Sequence, residues 1–177
     1  MPWRNGLGVT LEIAREPAAG SEFLWRLSLA TVEDSGPFSS YPGYQRSVSL
    51  IAGNGFRLDI GGQESAILDS VGATALFSGG ASTGCTLLNG HSTDLSLMVR
   101  EPGTIISVTR IQEASAGVVP LRSGTLNAVF CLSEATLAVH DTALLGAQAA
   151  ELAIRPFSNR PVDVLLMTWT AVSSAQS

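Results

Sequence analysis

Apolar residues recur at every second position along most of this chain, and Gly, Pro and Asn break the pattern at short intervals. A period of two belongs to strands that turn alternate side chains toward a core, whereas a helix repeats every 3.6 residues. Val9, Leu11 and Ile13 alternate with Thr10, Glu12 and Ala14. Phe23, Trp25, Leu27 and Leu29 oppose Leu24, Arg26, Ser28 and Ala30, and the polar Arg26–Ser28 face suits either solvent or a polar-lined interior. Asp94–Arg100 and Thr104–Ile111 continue the pattern. Thr142–Ala153 is the one stretch that could pass for a helix, and strand or loop suits it better.

The densest stretch is Gly36–Gly62. It opens with a Pro/Gly loop, Phe38 to Arg46, that packs aromatics, hydroxyls and an Arg into nine residues, a mix suited to lining a pocket. A strand over Ser47–Ile51 runs into Ala52-Gly53-Asn54-Gly55, and a new alternation of Phe56, Leu58 and Ile60 begins at once. Asn-Gly between two alternating runs predicts a hairpin. Strands at this spacing point to an all-β sandwich or barrel.

With 45% hydrophobic and 14% charged residues the chain can bury a real core, which argues against disorder. A net charge of −5 without any basic run argues against nucleic acid. No run approaches the ~18 apolar residues that span a bilayer, and the start lacks the pattern of a signal peptide, so a cytoplasmic location is expected. All ten cationic side chains are Arg, each able to clamp a carboxylate bidentately.

Two internal echoes suggest a duplicated β-unit. Residues 50–60, LIAGNGFRLDI, align with 129–139, VFCLSEATLAV, and TDLSLM at 93–98 aligns with VDVLLM at 162–167. The polar stretch Gln112–Gly124 lies between them, which predicts two halves, 1–112 and 113–177, packed as one unit.

His91 and His140 are remote from one another and lack HxH spacing, so no metal site and no cofactor are expected. Nucleophilic catalysis has no GxSxG motif and no Cys beside a His, and Cys85 and Cys131 read as reduced core thiols. What remains is a polar pocket drawn from Trp3, Asn5, Thr10, Glu12, Arg26, Ser39, Tyr41 and Arg46. Arg26 or Arg46 could fork onto a small carboxylate, and Trp3, Phe38 or Tyr41 could stack on a flat ring. The competing structural account pairs Glu12 with Arg26 or Arg46 to stitch strands together.

PWRNGLGVTLEIA, WRLSLA and GPFSSYPGYQR, followed by a Gly-x-Gly turn, together resemble the HutD/Ves family of cupin-like proteins associated with bacterial histidine utilisation. The resemblance covers nearly the whole chain and is densest over residues 2–62. It implies a bicupin, two double-stranded β-helix (jelly-roll-like) barrels in one chain, and a regulatory role in histidine breakdown through binding of an intermediate such as urocanate or N-formylglutamate. No enzymatic activity is firmly attached to the family. Members carry an acidic residue before the Arg of the loop motif, where this sequence has Gln45 ahead of Arg46. The expected protein is therefore a non-catalytic binder of a small carboxylate. The alternatives are a metal-free isomerase or hydrolase with Glu12 as base, and an interaction protein with a vestigial pocket. Apolar edge strands make a homodimer part of the same expectation.

Overall fold

The computed structural model describes residues 8–17, 19–62, 64–113, 117–133, 138–155 and 161–170. Among these the chain forms fifteen strands and no helix, so none is long and apolar enough to cross a membrane. The chain divides into two compact units after Pro102, where Glu101-Pro102-Gly103 interrupts the alternation. The stretch Gln112–Gly124 falls inside the second unit and carries the end of one strand and all of the next.

The first unit contains β1 (Gly8–Glu16), β2 (Trp25–Val32), β3 (Gly36–Pro37), β4 (Tyr44–Gly53), β5 (Phe56–Ile60), β6 (Glu64–Leu68), β7 (Thr74–Ser78), β8 (Thr83–Leu87) and β9 (Ser92–Arg100). They form two antiparallel sheets, ordered β1-β2-β9-β4-β7 and β3-β8-β5-β6. With β1 set aside as an added edge, this is the strand order of a jelly roll. The sheets pack face to face over Val48, Leu50, Ala75 and Phe77 from the first and Phe56, Leu58, Leu68 and Cys85 from the second.

The hairpin expected at Asn54-Gly55 is not formed. β4 pairs with β7 and β9, whereas β5 pairs with β6 and β8, so the chain crosses from one sheet to the other in this turn. Nor does Asn54 take the positive φ of a two-residue hairpin turn; the glycines on either side do, Gly53 at 93° and Gly55 at 91°. A turn signal fixes the local path of the backbone, and tertiary pairing decides which sheet the next strand joins. The true hairpin joins β5 to β6 past Gly61-Gly62, both at positive φ.

The second unit contains β10 (Ile106–Glu113), β11 (Gly117–Pro120), β12 (Leu126–Cys131), β13 (Thr142–Leu145), β14 (Glu151–Ile154) and β15 (Val162–Trp169). Its sheets are ordered β10-β15-β12-β13 and β11-β14, packed over Val119, Val129, Cys131, Ile154, Val162 and Val164. The order β2-β9-β4-β7 thus recurs as β10-β15-β12-β13: first, fourth, second, third along the chain in both.

The expected echo of residues 93–98 in 162–167 joins corresponding strands in the wrong parity. Its offset matches Asp94 with Asp163, but Asp94 is fully buried, whereas Asp163 meets Arg110 at the surface and its neighbours Val162 and Val164 face the core. A slip of one residue exchanges the faces of a strand. The other echo keeps parity at its start, since Leu50 and Val129 both enter a core, while Leu137 lies outside the described residues.

Candidate functional site

Side chains directly opposite each other on neighbouring strands share a face of the sheet. Three such rungs of the first sheet turn inward. One runs Arg15, Arg26, Met98, Arg46, Phe77; the next runs Glu12, Ser28, Ser96, Val48, Ala75; the third runs Thr10, Ala30, Asp94, Leu50. A bulge after Glu12 resets the alternation of β1, which brings Glu12 and Arg15 to the same face. The interior is therefore polar across β1, β2 and β9, and apolar across β4 and β7 apart from Arg46. Of the two readings open for the Arg26–Ser28 face, the interior one holds: Ser28 is buried and Arg26 half-buried.

Arg46 is only 6% exposed. Its guanidinium lies over the Phe38 ring at 4.7 Å and near the Phe77 ring at 5.7 Å, and its Nε donates to Ser96 Oγ at 3.2 Å. Burial pulls its pKa below the ordinary arginine value, against an opposing pull from Asp94. Arg26, on the same rung, is stacked by Phe23 at 4.9 Å and Tyr41 at 5.2 Å, and its Nη2 donates to Tyr41 Oη at 3.3 Å. The loop carrying Tyr41 is pinned to β7, with Tyr41 N donating to Gly79 O and Gly79 N to Tyr44 O, both at 2.7 Å.

Asp94 is not among the residues that the sequence nominates for the pocket. It sits within β9, the strand at the middle of the first sheet, with no exposure and, among the described residues, no hydrogen-bond partner for either carboxylate oxygen. Burial pushes its pKa up to about 7, against the pull of Arg46. The signal was present: Asp94 has the parity of Ser96 and Met98, opposite to the apolar Leu95 and Leu97.

The other candidates divide. Thr10 is half-buried on the inner face of β1. Glu12 lies 4.0 Å from Arg15 with its side chain 31% exposed, so its ion pair among the described residues is with neither Arg26 nor Arg46. Ser39 is exposed. Trp3 and Asn5 lie outside the described residues. Phe38 stacks on Arg46 from within the core rather than offering a face for a ligand ring. Gln45 points away from Arg46, as the next residue on a strand must, and donates to Glu101; an acid there would not orient the arginine. His91 and His140 are exposed, and His140 occupies a turn at φ 69° against the Phe130 ring rather than a strand. Cys85 and Cys131 are buried free thiols. No cluster of three metal-ligating side chains occurs among the described residues.

A cavity of about 260 Å3 opens in the second unit beside Ser107, Thr109, Leu121, Arg122 and Thr168. None of the candidate residues lines it.

The family model described as HutD matches residues 1–158. An uncharacterized 21.2 kDa protein in the hutC 3′ region of Pseudomonas putida is 46% identical over 99 residues, 55% of this chain and 52% of that protein. Protein Ves of Escherichia fergusonii is 42% identical over 57 residues, 32% of this chain and 30% of that one. The chain thus spans about half or less of the length of these curated relatives. Among solved structures, a conserved protein of unknown function from Pseudomonas aeruginosa aligns with a TM-score of 0.84 and 31% identity, covering 96% of this chain and 93% of that one. HutD from Pseudomonas fluorescens aligns at 0.76 with 29% identity, covering 98% and 94%. A cupin 2 conserved barrel domain protein from Leptotrichia buccalis, at 0.57 and 10% identity over 90% and 88%, shares the fold alone.

Proposed function

The chain belongs to the HutD family, and on that premise we propose that its first unit binds a small carboxylate of histidine breakdown, urocanate or N-formylglutamate, as a regulatory protein without a metal. The observation that carries this reading is the arginine pair. Arg26 and Arg46 stand on one inward-facing rung, separated by Met98, and each is held by two aromatic rings. Among the described residues neither is salt-bridged to a carboxylate of the chain. Guanidinium groups fixed in a low-dielectric interior, with donors unclaimed by acids, suit a bidentate anion. The bicupin architecture belongs to the same reading, supported by the strand order common to both units. So do a cytoplasmic location and pairing through an apolar edge, of which β1 exposes Val9 and Leu11.

The catalytic alternative finds less support. Its base, Glu12, lies on the edge strand in contact with water and beside Arg15, whereas a carboxylate tuned for proton abstraction needs burial.

Calorimetric titration with urocanate, N-formylglutamate, histidine and glutamate tests the reading, with turnover checked in the same samples. Saturable heat without product is the expected result. Product formation moves the protein to the enzymes, and no heat from any of the four overturns the proposal. Arg26→Ala is expected to weaken binding by about tenfold to a hundredfold, the worth of one charge-assisted contact. Its melting temperature should fall only slightly, because a half-buried cation over two rings contributes about 1 kcal/mol. Unchanged affinity in this variant would place the ligand elsewhere.

A further inference from the structure

We propose that Asp94 is a positioning residue that couples ligand binding to protonation, so that a carboxylate engaging Arg46 is taken up together with one proton that comes to rest on Asp94. This rests on the reading of the arginine pair as a carboxylate site and adds its regulation.

Asp94 lies two residues from Ser96 on the same face of β9, about 7 Å along the strand, and Ser96 holds the Arg46 guanidinium. Arg46 is thereby turned toward Asp94 and feels its charge without bonding it. The groups facing Asp94 from the other elements leave it little else. On its own rung it meets Ala30 of β2 and Leu50 of β4. From β8 comes Cys85, whose thiol burial helps push up to about 12 and so keeps neutral. β5, β6 and β7 offer Phe56, Leu58, Leu68, Ala75 and Phe77. Arg26, Tyr41, Glu12 and Thr10 belong to the polar side of the same interior. Arg46 is the counter-charge that acts on Asp94.

A ligand carboxylate that forks onto Arg46 brings a second negative charge to that one guanidinium. Two carboxylates sharing a buried cation do not both stay ionised; the less solvated and less hydrogen-bonded of them takes up a proton. Asp94 is fully buried and finds no hydrogen-bond donor among the described residues, so the proton comes to it, drawn from solvent, and the ligand remains the anion. No bond of the ligand changes. With a free-state pKa of about 7, the exchange falls at neutral pH. Linkage then sets the sign. Affinity is flat below that value, where Asp94 is already protonated, and falls up to tenfold per pH unit above it.

The test is calorimetric titration with N-formylglutamate between pH 6 and 8.5, in buffers of differing ionisation heat, for the wild-type protein and Asp94→Asn. The wild type should take up close to one proton per ligand at pH 8 and lose about tenfold in affinity from pH 7.5 to 8.5. The amide variant, or Asp94→Ser should Asp94→Asn fail to fold, should bind with a flat profile and no uptake. Binding without proton uptake in the wild type, or equal uptake in both proteins, overturns the coupling and leaves the carboxylate site standing. No binding at any pH overturns both. A purely structural Asp94 would shift the melting temperature of the variant and leave its pH profile like that of the wild type.

Discussion

Gly55→Ala is expected to destabilise the first unit by more than about 4 kcal/mol, the extreme end of single substitutions. Gly55 sits at φ 91°, and a Cβ there would lie 2.1 Å from the carbonyl oxygen of Leu68 and 2.9 Å from Cα of Asp69. Both obstacles are backbone, so no rotamer change relieves them. The Gly55 amide also donates to Ser92 Oγ at 2.9 Å, and its carbonyl accepts from Leu88 N at 3.0 Å, so the turn cannot shift without loosening the start of β9. Gly43→Ala is the control. It has a similar φ of 81° but nothing within 4 Å of its Cβ, and strain alone should cost about 1 kcal/mol. Urea unfolding of the two variants checks this, and equal midpoints would refute the tight crossing between sheets.

Arg46→Ala should abolish carboxylate binding and, unlike Arg26→Ala, should also cost about 2–5 kcal/mol of stability, the usual loss when a large buried side chain is truncated to Ala. A clamp standing free in a pocket would leave the melting temperature unchanged. The structure gives Arg46 a second task, because it fills the space between Phe38 and Phe77 and offsets the charge of Asp94. The loss should depend on pH. The folded pKa of Asp94, about 7, is raised above its ordinary 3.8. Its contribution is therefore fully present below about pH 4 and lost as the pH climbs through 7. Without Arg46 the folded pKa rises further, and the decline continues to higher pH. Thermal unfolding at pH 5 and pH 8.5 should show the variant closest to wild type in acid; a pH-independent difference would remove Asp94 from the account. Arg46→Lys keeps the charge but not the planar fork, so it should recover part of the stability and less of the binding.

The strands were legible because a half-buried strand writes its two faces into alternate letters. Arg26 with Ser28, and Thr10 with Glu12, could be assigned to shared faces before any pairing was known, and their faces do look inward together. What alternation cannot supply is the partner. Asn54-Gly55 has the letters of a hairpin, yet β4 and β5 part company there because each finds better neighbours elsewhere in the chain. The same gap hid Asp94. An acid next to Thr93 at the start of an apolar run reads as a turn residue, and only the placement of β9 between β2 and β4 buries it. The echo of residues 93–98 in 162–167 failed for a related reason, since matching letters one residue out of step matches opposite faces. Trp3 and Asn5, prominent in the motif that carries the family resemblance, lie outside the described residues.

In each unit the strand at the heart of the larger sheet is also the last one along the chain: β9 in the first, β15 in the second. During synthesis β2 and β4 therefore leave the ribosome long before the strand that joins them, and each waits with one edge unpaired. Asp94, Ser96 and Met98 join the interior of Arg26 and Arg46 only when β9 is inserted, so that arrangement is incomplete until about the hundredth residue is made. Pairing across such long stretches of sequence is slow, and the waiting edges invite association with other nascent chains. The same insertion, once made, locks every neighbour on both sides, so any fragment ending before Ser92 should be insoluble rather than merely inactive.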